Sequence, residues 1–147
     1  MWDKTVKMLG GFCGILVGAF GGWDTMMMVL AAFMAIDYVT GLLSGVLGVS
    51  PKTQTGHIDS GIAWKGLIKK VGELIAVIVG VLLDKLAMES IGYSAPIFRS
   101  GIMLYIITTE GISILENLGV IGVPLPGFVK KALEQLQKKA DAVEVQE

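Results

Sequence analysis

Residues 25–49 read TMMMVLAAFMAIDYVTGLLSGVLGV, twenty-five positions carrying one charge, Asp37. A bilayer core of about 30 Å needs about 20 consecutive apolar helical residues, and this stretch meets that with room for tilt. The same test applied outward gives segments at about 66–88 and 97–121 that are long enough. A fourth, at 8–22, is shorter and is set off by Gly-Gly-Trp-Asp at 21–24. That segment covers about 22 Å at helical rise. It spans by thinning the bilayer or recruiting its flanks, or it lies at the interface. The expected fold is therefore all-α, an integral membrane helical bundle of four transmembrane helices, or three if residues 8–22 are interfacial.

Composition points the same way. The chain has 147 residues, 53% of them hydrophobic before its 20 glycines are counted, and a mean hydropathy of +0.69. A chain this short could not hide that excess in a core, so the surplus calls for a solvent other than water. The length suits one domain. A net charge of −1 gives no case for nucleic acid. Cys13 is a single cysteine, so no intrachain disulfide or CxxC pair is available. Lys4 and Lys7 before an apolar run imitate a signal peptide, but no small-x-small cleavage site follows, and cleavage is not expected.

Charge sets an expected orientation. With four spans, one side receives Lys4, Lys7, Lys52, Lys65, Lys69, Lys70, Lys130, Lys131, Lys138 and Lys139, and the other only Lys85 and Arg99. The positive-inside rule then places both termini and the 50–64 loop in the cytoplasm. Residues 1–124 form the expected membrane domain. Beyond it GVPLPG (122–127) breaks the helix, and residues 125–147 read as a basic tail. Val129, Ala132, Leu133, Leu136 and Ala140 fall at helical spacing there, as in an amphipathic cytoplasmic helix on an anionic leaflet.

Two sets of residues carry candidate function. Gly10, Gly14, Gly18 and Gly22 recur every four positions, a stripe on which two helix backbones can approach in lipid. Gly41 and Gly45 repeat the spacing. Such stripes join copies of the chain or pack helices within one copy, and both readings stand. The second set is ionisable or polar. Each charge within a span costs roughly 2.5–3.5 kcal/mol on insertion scales, so it needs a partner or water. Asp37 and Glu110 share a depth of about 17 Å from the inner ends of their helices. Lys69, Lys70, Glu73 and Glu116 lie nearer the cytoplasmic face, with Lys69 and Glu73 four apart and Lys70 within reach of Glu116. Thr109, Glu110, Ser113, Glu116 and Asn117 share one face, which must meet protein or water. These groups fix helix register through ion pairs, or form a polar seam that hydrates when subunits rearrange.

No catalytic, metal or cofactor site is expected. His57 is the one histidine, with Asp59 and Ser60 nearby but no third group or oxyanion signature. No GxxxxGK[ST] or GxGxxG phosphate loop occurs.

Three blocks resemble the phage holin family that also includes the holin-like proteins of clostridial toxin loci: DYVTGLLSG (37–45), HIDSGIAWKGLIKKV (57–71) and TEGISILENLGVIGVPLP (109–126). The last is the most specific. The resemblance runs from about Asp37 to the tail and does not touch the first segment. It implies a protein that accumulates in the bacterial cytoplasmic membrane, forms homo-oligomers and opens a lesion. Through that lesion a cytoplasmic endolysin, or a toxin, would leave as indirect cargo. Asp37, Gly41, Lys70, Glu110, Glu116, Asn117, Pro124 and Pro126 match by position. We expect the charged residues and Asn117 to hold the closed packing, and the prolines to end the last span. Two other classes compete: a small four-helix transporter using Asp37 or Glu110 as a proton site, and an antiholin-like regulatory membrane protein.

Overall fold

The computed structural model describes residues 2–129 and 131. The described residues form four α-helices and no strand: α1 (Trp2–Ala19), α2 (Thr25–Val46), α3 (Ser60–Ile91) and α4 (Ile97–Ile121). Of these, α2 and α4 are long and apolar enough to cross a membrane. The remainder of the expected amphipathic tail lies outside the described residues.

Helix ends follow local chemistry. α1 stops where Gly21, at φ 77°, lets the chain fold back, with Gly21 N donating to Gly18 O and Gly22 N to Val17 O. That closure satisfies carbonyls the helix would leave open, and its left-handed residue favours glycine. α2 restarts at once because Asp24 Oδ1 accepts from Met27 N at 2.9 Å, an N-cap. Asp59 caps α3 in the same way, accepting from Ile62 N at 2.9 Å.

The helices and the expected spans are different intervals. The first helix is not confined to 8–22: it begins at Trp2 and ends at Ala19. α2 ends at Val46 rather than Val49. α3 is longer than the 66–88 span at both ends, and Trp64, expected in the loop, is helical. The apolar runs measured what fits in lipid, whereas the caps decide where helix begins. For α4 the two coincide at 97–121. α4 closes with Gly122 N donating to Gly119 O and Val123 N to Leu118 O. The glycine closure precedes Pro124 and Pro126, which stand in the exit segment.

The chain divides into two compact units. The first holds the chain up to Met34 together with Leu67–Thr108. Its core is apolar: Met27, Leu30 and Met34 of α2 pack with Val77 of α3 and with Met103 and Ile106 of α4. α3 and α4 approach closely where Gly80 meets the Arg99 backbone, and a Cβ there would come within 2.9 Å of Arg99 Cα.

The second unit holds Ala35–Gly66 and the chain from Thr109 onward. Its interior is polar and its exterior apolar. Asp37, Thr40 and Ser44 are buried, whereas Ile36, Val39, Leu43 and Val46 on the other faces of α2 are each between 46% and 65% exposed. A helix of a soluble bundle is arranged the opposite way. Apolar side chains directed outward along this half of α2, with polar ones inside, suit a lipid surround.

Candidate functional site: a buried polar seam and an arginine clamp

The second unit builds its seam from α2, α4 and the segment that joins α2 to α3. Asp37, Thr40 and Ser44 fall on one face of α2, and Glu110, Ser113 and Asn117 on one face of α4, because three- and four-residue steps stay on one side of a helix. Asn117 is wholly buried. Its Nδ2 donates to Asp37 Oδ1 at 3.3 Å and to Thr40 Oγ1 at 3.2 Å. Gly41 leaves room for this amide, since a Cβ there would lie 3.6 Å from Asn117 Nδ2. Lys52 reaches in from the joining segment. Its Nζ donates to Ser113 Oγ at 3.0 Å and stands 3.7 Å from Asp37 Oδ1. Thr40 and Ser44 hydroxyls are occupied by backbone carbonyls of their own helix, Ile36 O at 2.9 Å and Gly41 O at 2.8 Å. Glu110 is buried to 1% exposure, and Glu116 is half-buried. One acceptor, Asn117 Oδ1, is buried without a donor among the described residues.

The first unit contains an arginine clamp that the sequence did not announce. Arg99, the chain's one arginine, is buried in the first turn of α4. Its guanidinium binds Asp24 at 2.6 and 3.2 Å, Phe20 O at 2.7 Å and Gly22 O at 3.3 Å. Asp84 of α3 accepts from both Phe98 N and Arg99 N at 2.9 Å, capping α4 from a neighbouring helix. Asp24 lies outside the helices and is half exposed. The Arg99 hydrogen bonds, then the Met27 N–H, hold its carboxyl below the ordinary carboxylate range.

The expected residues divide between these places. Asp37, Ser113 and Asn117 come together in the seam. Lys69 and Glu73 pair at 3.3 Å on α3, on a groove floored by Gly72, Ala76 and Gly101. Lys70, in the first unit, is buried. Gly45 accommodates Ile58, whose Cα would stand 3.3 Å from an added Cβ. Gly10, Gly14 and Gly18 have no described atom within 4 Å of an added Cβ. Gly22 is off their stripe, because it sits in the turn after α1. Thr40, Lys52, Arg99, Asp24 and Asp84 were not foreseen as site residues. The available signal for Arg99 was its position: a lone guanidinium at the mouth of an apolar span needs partners.

Among the described residues no group of His, Cys, Asp or Glu is arranged to hold a metal ion. The arrangement gathers a carboxylate, an amide and two hydroxyls within an apolar exterior, with the half-exposed Lys52 ammonium at its edge, and so concentrates groups that water would solvate if the helices parted.

No solved structure matches the chain. The model of the bacteriophage holin family matches residues 14–138. An uncharacterised protein of Clostridium perfringens strain 13 is 38% identical over 120 residues, covering 82% of this chain and 81% of its own length. Another from Clostridium perfringens, an uncharacterised 14.9 kDa protein in the nagH 3′ region, is 37% identical over 120 residues, covering 82% and 83%. A probable holin of Bacillus phage phi105 is 27% identical over 109 residues, covering 74% and 77%. The lipid-suited exterior, the two membrane-length helices and a family match over most of the chain agree. This chain belongs to the bacteriophage holin family.

Proposed function

We propose that this chain acts as a holin: it accumulates in the bacterial cytoplasmic membrane, self-associates, and opens a lesion through which an endolysin leaves the cell, or in a toxin locus a toxin. The observation that supports the reading beyond family membership is the polar seam of Asp37, Lys52, Ser113 and Asn117 inside an apolar exterior. In the closed bundle these groups bond to one another, leaving Asn117 Oδ1 as the acceptor without a donor among the described residues. When copies rearrange, the same groups line water, because a polar face cannot remain against hydrocarbon. The protein thereby permeabilises the membrane without catalysis.

The topology that accompanies this reading has four crossings, with both termini and the 50–59 segment in the cytoplasm. It places Lys52 on the side rich in lysine. The unpartnered Gly10, Gly14 and Gly18 of α1 then offer the surface on which copies associate.

The test is inducible expression in a bacterium, recording membrane potential and viability with and without a signal-less cytoplasmic endolysin. The expected result is abrupt depolarisation after a lag, with lysis only when endolysin is present. Depolarisation without endolysin-dependent lysis would indicate small pores instead. Retained potential despite membrane accumulation would overturn the reading, and delayed lysis by a co-expressed holin would then identify an antiholin.

A further inference from the structure

We propose that the seam of the second unit is a binding site for a small ammonium cation, and that its resident occupant is the chain's own Lys52. The site is made of oxygen: the Asp37 carboxylate, nine-tenths buried, and the Ser113 hydroxyl, at 3.7 and 3.0 Å from Lys52 Nζ. Asn117 borders the site through Asp37. Its Nδ2 is fixed on Asp37 and Thr40, and its Oδ1 is wholly buried with no donor among the described residues. A buried acceptor left without a donor is destabilising, so the pocket has unmet demand for N–H groups.

Lys52 meets that demand in part. An ammonium carries only donors, and Lys52 directs its own at Ser113 and Asp37 from a side chain that is 44% exposed. Its entry is from the segment between α2 and α3, whereas every oxygen of the site belongs to α2 or α4. The cation is therefore the one component that can leave without unwinding a helix. A free methylammonium carries the same charge and the same three N–H donors as Lys52, and without the tether it can turn the donor not used on Ser113 and Asp37 toward another buried acceptor. Lys52 thus acts as an internal competitor for the cation site. This deepens the reading of the seam as the part of the bundle that hydrates, and rests on it only for the consequence, since binding itself is measured without lysis.

The experiment uses the full chain in detergent micelles, with Lys52→Ala and Lys52→Ala/Asp37→Asn beside the wild type. Thermal midpoints are followed by tryptophan fluorescence in methylammonium chloride and, at equal ionic strength, choline chloride, whose cation is too bulky for the site. Lys52→Ala is expected to gain about 4 °C in methylammonium over choline at ten times its Kd. Wild type and the double variant are expected to show no difference between the salts. A Lys52→Ala protein that folds only when methylammonium is present supports the proposal equally. Identical behaviour of Lys52→Ala in the two salts, including failure to fold in both, overturns it. So does an equal gain in the double variant or in the wild type.

Discussion

Replacing Arg99 with methionine removes the clamp while keeping most of the side-chain stem. Four hydrogen bonds disappear: two to Asp24 and one each to Phe20 O and Gly22 O. The carboxylate is half exposed and regains water, so its share is that of a screened ion pair, at most about 1 kcal/mol. The two carbonyls lose a charged donor, at about 1 kcal/mol each after partial rehydration. Together the loss is about 3 kcal/mol, or a fall in midpoint of about 6–12 °C for a chain of this size. Thermal unfolding of the full chain in detergent reads it, with limited proteolysis after Trp23 as a local probe. Asp24→Asn supplies the pH arm. The folded Asp24 carboxyl lies below its ordinary range, so the stability it adds is fully present above the unfolded value of about 3.9. It is lost as pH falls through the folded value. The gap between wild type and Asp24→Asn should therefore be level from pH 7 to 5 and close only in more acid solution. An unchanged midpoint in Arg99→Met, or a gap that closes already near neutrality, would refute the clamp.

Asp37→Asn and Glu110→Gln should shift the time of lysis in the expression assay while leaving membrane accumulation unchanged, as fractionation will show. Gly14→Leu or Gly18→Leu should weaken crosslinked ladders in membranes, because the bare α1 stripe is filled; unchanged ladders in both would remove the stripe from assembly. Gly80→Leu should destabilise the first unit by at least about 1–3 kcal/mol, the usual cost of overpacking. Its added Cβ meets Arg99 backbone at 2.9 Å, and loss of the thermal midpoint in detergent measures the effect.

The sequence disclosed residues whose meaning is local. α4 was bounded at 97–121 because its apolar run and its glycine closure coincide. Lys69 and Glu73 were paired because a four-residue step on a helix brings side chains together. The broad polar face of α4 was legible for the same reason, and its members are buried or half-buried. What could not be read was long-range. Lys52 entered only the count of basic residues on one side, and nothing in SPKTQTG reveals that its ammonium reaches Asp37. Asp24 and Arg99 each stood at a span edge, where water normally solvates charge, and 75 residues separate them. Asp84 caps a helix other than its own, 14 and 15 residues before the amides it accepts from, so no local capping motif marks it. α3 extends beyond the apolar run at 66–88 because Asp59 supplies the cap that starts the helix at Ser60, and a hydropathy window does not register a cap.

The two units use opposite physics within one chain. In the first, Leu30, Val77 and Met103 pack without polar atoms, and the clamp stands at its edge. That packing gains little in lipid, where hydrocarbon outside is as apolar as the side chains within. In the second, burial of Asp37 and Asn117 is tolerable only while their hydrogen bonds persist, since an unpaired charge in a span costs roughly 2.5–3.5 kcal/mol. The polar unit is therefore the more specific of the two and also the less forgiving. Loss of one partner there leaves a group that hydrocarbon cannot solvate and water can. On the holin reading we propose that opening begins at the seam: water entering it replaces bonds that lipid cannot replace, whereas water entering the apolar core of Leu30, Val77 and Met103 gains nothing.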